Sequence, residues 1–146
     1  TRKESSAASD VYKRQRENNM TSEYEIFSIM HMGFIQNAMY FVGFVLFTWL
    51  GFRMANNIYN NPDSNMLGRV LTSAFVVLVA LSMYNLQQIG GAILGTAVMQ
   101  LGDIGAASAE RMQQYVDSPL RVGGTLQTVF VVLILVFQLA LTWTKK

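Results

Sequence analysis

The chain has no cysteine, one histidine and two prolines among its 146 residues. Without cysteine there is no disulfide, no thiolate metal site and no cysteine nucleophile. The lone His31 cannot supply a two-histidine site, and the Cys-x-x-Cys-His haem attachment is missing. Charge is scarce as well, at 14% of residues. Ile26–Phe52, Val70–Gly102 and Gly123–Thr144 contain no Asp, Glu, Lys or Arg at all. There is no nucleotide loop, zincin motif, nucleophile elbow or internal repeat. An enzyme and a resident cofactor are therefore not expected. The content is too apolar for a soluble domain, and what is present reads as membrane segments.

The N-terminus is set aside first. Ser5–Gln15 reads SSAASDVYKRQ, the direct translation of a transposon-end adapter used in sequencing libraries. Residues 1–19 are accordingly read as an adapter-derived, non-native or disordered segment, with the chain proper starting at Met20. From Met20 onward six basic residues face six acidic ones, so the pI of 9.0 belongs to the excluded segment. A neutral remainder gives no reason to expect a nucleic-acid partner. No cleavable signal peptide is expected either. The residues after Met20 are acidic, and the first apolar run is too long for a signal core.

Helix one is expected over residues 23–57, opened by a capping box between Ser22 and Glu25. Its charge-free run exceeds the ~20 residues that a bilayer core needs. Gly33, Asn37, Tyr40, Phe44, Thr48 and Gly51 recur at spacings of three and four. They form a stripe of small and polar groups of the kind on which membrane helices pack. Arg53 and an Asn-rich loop follow. Asn61 as N-cap with Pro62 in the first turn predicts helix two over residues 62–101. Arg69 then sits on the same membrane side as Arg53.

Counting ~20 residues from Arg69 places the far boundary near Ile89. Leu81, Asn85, Gln88, Ala92, Gly95, Met99 and Gly102 continue a 3.5-residue period across that level. Such a period suits one helix running on beyond the membrane with a close-packing seam, which includes a GxxxG match at Gly91–Gly95. Ile89–Ala109 does not read as a crossing of its own. Asp103 would cost roughly 2.5–3.5 kcal/mol mid-membrane, while the few strong apolar residues return about 0.3–0.6 kcal/mol each. Helix three is expected over residues 119–145, opened by Ser118 and Pro119, with Gln127 and Gln138 on one face.

A straight helix two reaching Val116 would end ~40 Å beyond the boundary, whereas Pro119 must lie within ~9 Å of it. The chain therefore turns back, preferably at Gly102–Gly105, and builds a small cap over residues 89–117. The fold class is thus an all-α integral membrane protein with three transmembrane helices and an extracytoplasmic helical cap between helices two and three. Positive-inside counting puts the N-terminus outside and the C-terminus in the cytoplasm, in a bacterial inner (plasma) membrane.

The candidate packing or pore-lining residues are Asn37, Tyr40, Thr48, Asn85, Gln88, Gly91, Gly95, Gln127 and Gln138. Three functions compete. The first is a structural or interaction subunit of a membrane assembly, embedded in the lipid bilayer and joined to copies of itself or to another membrane protein. The second is an oligomeric channel or carrier for a small solute or ion, lined by Asn37, Gln127 and Gln138. The third is a haem- or metal-binding electron-transfer subunit through His31. Ionisable residues mark ion paths across membranes by default, and none lies between the expected boundaries. The interaction subunit is therefore ranked first.

Overall fold

A computed structural model of the chain describes residues 2–61 and 63–144, with side chains from Asp10 onward. The described residues form four helices: α1 Arg2–Asn60, α2 Met66–Asp103, α3 Ser108–Asp117 and α4 Thr125–Trp143. Three of them, α1, α2 and α4, are long and apolar enough to cross a membrane.

The sequence places the first helix start at Glu23, but α1 begins at Arg2 and runs unbroken for 59 residues, ~88 Å. Nothing upstream of Glu23 stops it: the stretch from Arg2 to Ser22 has neither proline nor glycine. Extending an existing helix also avoids the nucleation penalty. The Ser22 capping box therefore does not form. The Ser22 hydroxyl donates to the Asn18 carbonyl at 3.0 Å, one turn back along a helix that is already there.

The α2 start also moves. Pro62 lies outside the described residues. Asn61 caps no helix; its Oδ1 accepts from the Asp63 N–H at 3.2 Å and its carbonyl from the Ser64 N–H at 3.1 Å. This is Asx-turn chemistry. Asn65 is the actual N-cap, with its side chain accepting from the Gly68 N–H at 2.7 Å. That distance satisfies the third orphan amide of the first turn. The chain thus takes the second of two asparagines with capping chemistry.

Helix α2 passes through Gly90, Gly91 and Gly95 without a break and ends where the glycine turn was expected. Gly105 has φ +65°, its N–H donates to the Gly102 carbonyl, and the Ala106 N–H donates to the Leu101 carbonyl. Those two bonds are a Schellman motif, which needs a residue that tolerates the left-handed region. The third correction concerns helix three. Ser118 follows α3 and accepts from the Leu120 N–H at 3.2 Å, so Ser118–Pro119 forms a turn. Helix α4 starts only at Thr125, because Gly123 at φ +75° interrupts the backbone first.

Helix α2 is the hub. It packs on α1, α3 and α4, and α1 also meets α4. Gly33 lies against Ile93, Gly90 against Asn37 and Gly51 against Val76, so α1 and α2 run antiparallel along their whole shared length. Trp143 Nε1 donates to Ser73 Oγ at 2.9 Å, and Gly123 lies against the Gln87 carbonyl. Helix α4 therefore also runs antiparallel to α2. The molecule has two storeys. In one, α1, α2 and α4 pack side by side; in the other, α3 takes the place of α4. There Met112 and Val116 of α3 close on a core of Met30, Leu94 and Ala97.

The buried line on α2 is Thr72, Val76, Val79, Met83, Leu86, Gly90, Leu94, Ala97 and Leu101. Its steps of four and three, alternating as far as Gly90 and with one extra step of four to Leu94, follow the coiled-coil period closely. Large apolar side chains point outward at the level of α4, among them Phe41, Leu46, Leu78, Phe130 and Phe137. Monomeric soluble proteins rarely expose a contiguous apolar surface of this kind.

Candidate functional site

The residues singled out by type and spacing fall into three groups. The first joins α1 to α4. Gln138 is 2% exposed, and its Nε2 donates to the Thr48 carbonyl at 2.9 Å. The Thr48 hydroxyl donates back to the Phe44 carbonyl at 2.8 Å. The approach is possible because Gly51 lies one turn on: a Cβ there would stand 2.7 Å from Gln138 Nε2 and 3.0 Å from Val76 Cγ1. Glycine is thus required by what passes over it. The amide group of Gln138 meets backbone, the usual fate of a polar group in an apolar helix interface.

The second group surrounds the loop between α3 and α4. Gln127 Oε1 accepts from the Gly123 N–H at 2.7 Å, and Gln88 Nε2 donates to the Gly123 carbonyl at 3.2 Å. Two glutamines therefore clamp both faces of one peptide segment. Gly90 and Gly91 make room for the loop. A Cβ on Gly90 would lie 2.7 Å from Val122 Cγ1 and 3.0 Å from Asn37 Nδ2, and one on Gly91 would lie 2.7 Å from the Val122 carbonyl. Asn37 Oδ1 and Gln87 Oε1 are buried here without a hydrogen-bond partner among the described residues. Gln87 and Val122 are participants that spacing did not mark. Only the loop brings them in, and a loop's path has no periodicity to read.

The third group faces outward. Asn85, Ala92, Met99 and Gly102 are exposed, and among the described residues nothing lies within 4 Å of a Cβ built on Gly95 or Gly102. The seam expected on α2 is therefore on its outer face, roughly opposite the line that packs inside the chain. The GxxxG pair is split, with Gly91 under the loop and Gly95 open. Tyr40 also points outward, although its neighbours on the α1 stripe point in.

His31 is exposed, and its Nδ1 lies 2.7 Å from the Phe27 carbonyl one turn back. Among the described residues no three His, Cys, Asp or Glu side chains gather closely enough to hold a metal ion. One carboxylate has a structural duty that the sequence did not show: the Ser108 hydroxyl donates to Glu23. Ser108 is the first residue of α3, so this bond pins the start of α3 to α1, with the carboxylate near a helix N-terminus.

Two cavities bear on the competing readings. A space of about 20 Å³ lies among Thr48, Val79, Met83, Val131 and Gln138 at the centre of the three-helix storey. It has room for about one water molecule and no more. A larger groove of about 340 Å³ opens between α1 and α2, walled by Ile26, Ile29, Gly33, Ile89, Ala92 and Ile93. Comparison of the chain with protein families, with curated proteins and with solved structures finds no match.

Proposed function

We propose that the chain is an integral membrane protein that crosses three times, and that it serves as an interaction subunit of a membrane assembly. Helix α4, at 19 residues and ~28 Å, matches the ~30 Å thickness of a hydrocarbon core. Trp143 and Trp49 mark one edge of the apolar belt, and Arg53 stacks on the Trp49 ring at 5.7 Å. Aromatic and cationic groups gather in this way at a headgroup level. The loop at Gly123 marks the other edge. The ends of α1 and α2, with α3, then form a cap on the outer side, and the Arg53–Arg69 loop faces the cytoplasm of a bacterial inner (plasma) membrane.

The observation that carries the reading is the outer face of α2. Counting ~20 residues from Arg69 or from Ser73 puts the upper boundary between Ile89 and Ile93. Met99, 72% exposed, then lies six to ten residues further along, ~9–15 Å above the hydrocarbon. Ile29 and Met32 on α1 are exposed at the same storey. Lipid tails cannot cover apolar side chains at that height, and water penalises them; a protein surface covers them. The channel reading draws no comparable support from a single copy. Gln127 and Gln138 are held by backbone, and the central space admits about one water.

A cysteine map tests the arrangement in a chain that has no cysteine of its own. Single cysteines at Ser64, Asp103 and Lys146 are challenged with an impermeant thiol reagent. Labelling from outside at Asp103 alone is the expected result. Labelling at Ser64 from outside, or protection at Asp103, refutes it.

A further inference from the structure

We infer that the outer face of α2, together with the α1–α2 groove beside it, is the contact surface for a second copy of this chain, related by a twofold axis along the membrane normal. The inference rests on the three-crossing reading and names its partner. Four features of the face point to a copy. It runs from Leu81 to Gly102, ~32 Å of helix. A strip one helix wide (~10–12 Å) offers only ~350 Å² per partner, and a stable complex needs ~600–1,000 Å². The α1 wall of the groove, with Ile26 and Ile29, about doubles the strip and brings it into that range.

The second feature is reciprocity. On α2, Ala92 lines the groove with Ile89 and Ile93, and Met99 follows it two turns along the same exposed line, with Gly95 on the far flank beside the α3–α4 loop. A twofold axis between two α2 helices sets each Gly95–Met99 edge into the other copy's groove, which is the self-complementarity an isologous interface requires. A parallel pair keeps residues at one height, so Met99 enters at the Ile26 end of the facing groove. The third is charge. No Asp, Glu, Lys or Arg occurs on Val70–Gly102 or Ile26–Phe52. An uncharged occupant suits that strip, and this same face qualifies; Arg121 borders it only at the Gly95 flank. The fourth is Asn85, an exposed amide at the lower end. An amide both donates and accepts, so it can pair with its own copy across the axis, as seam asparagines do in parallel coiled coils.

Cross-linking in native membranes tests the proposal. Single cysteines at Gly95 and Met99 are oxidised, with Val42 and Leu133 as exposed sites elsewhere on α1 and α4. A disulfide requires Cα atoms within ~7 Å, so only residues close to the axis can join their own copies. The expected result is a dimer at Gly95 and Met99 and none at Val42 or Leu133. Met99→Glu sets two carboxylates against each other, and it should cut the Gly95 cross-link about tenfold while Met99→Gln retains it. Because Met99 touches little within the chain, the variant should fold, as an unchanged melting profile would show. Outside labelling of Asp103 is read first in the same membranes. If it is labelled and the seam cysteines fail to join, or join no better than the controls, the dimer is overturned and the membrane reading stands. If it is not labelled, the reading beneath the dimer fails, and the dimer with it.

Discussion

Replacing Gly51 by alanine isolates the contact between α1 and α4. The new Cβ would stand 2.7 Å from Gln138 Nε2, far inside contact distance, and 3.0 Å from Val76 Cγ1. The glutamine is the softer neighbour, so its amide swings away and the 2.9 Å bond to the Thr48 carbonyl is lost. Interhelical hydrogen bonds in lipid contribute about 0.6 kcal/mol on average and up to ~1.7 kcal/mol. A buried amide left without a partner adds ~1–3 kcal/mol. Against this, alanine is a better helix former than glycine by about 1 kcal/mol. The net destabilisation expected for Gly51→Ala is ~1–2 kcal/mol. In a Gln138→Ala background the amide is gone and the space is open. There Gly51→Ala should be neutral or stabilising by a few tenths up to ~1 kcal/mol, with only Val76 still to yield. A double-mutant cycle in mixed detergent micelles, followed by equilibrium unfolding, reads the difference. If Gly51→Ala has the same effect in both backgrounds within ~0.5 kcal/mol, the two positions do not couple and the packing argument is wrong.

The glycines supply a second contrast. Gly123→Ala should lower stability by at least ~2 kcal/mol, because φ is +75° and the Gln87 carbonyl oxygen would lie 2.7 Å from the new Cβ. Gly95→Ala, with nothing within 4 Å, should leave the unfolding midpoint of dispersed protein unchanged or raised. Equal losses at both positions would contradict the described loop path. At the cap, Ser108→Ala removes the donor to Glu23 and should weaken the docking of α3 by ~1–2 kcal/mol. Limited proteolysis at Ile104–Ala107 should quicken by about tenfold in that variant; an unchanged rate would mean that the bond does not hold α3 in place.

The sequence located the apolar segments well and their ends poorly, for a physical reason. Absence of charge over ~20 residues is a direct requirement of the bilayer. A helix end is a choice among nearby capping groups: Asn61 and Asn65 have the same chemistry, and only the geometry of the turn between them decides. Serine at positions 22 and 118 presented the same trap. Each found a backbone partner within helix or turn and opened no new helix. The Gly102–Gly105 turn was legible because glycine alone suits the left-handed residue that closes a Schellman motif.

The face of α2 was the hardest feature to read. In a soluble helix the polar side marks the outside. Here both the line through Val76, Met83, Gly90 and Ala97 and the line through Leu81, Asn85, Gly95 and Met99 are uncharged and share one period. Small and polar residues marked the second line as a close-packing seam, without saying whether it packs within the chain or outside it. The chain packs on the first, where Val76 and Leu101 are wholly buried, and carries the second outside. The α1 stripe read more truly, because Gly33 and Gly51 each lie under a specific side chain from another helix.

The unbroken course of α2 has a mechanical consequence. Gly90 and Gly91 fall where the three-helix storey meets the capped one, yet α2 runs through both without a break, and Asn37 and the Val122–Gly123 loop pack directly against them. Beyond Gln88 the helix continues for ~23 Å, and a rigid tilt of about 10° would carry its tip sideways by about 4 Å. Whatever grips the upper end has a lever arm on the lower one. A pull at Met99 reaches Ser73, and the Trp143 ring bonded to it, through α2 itself.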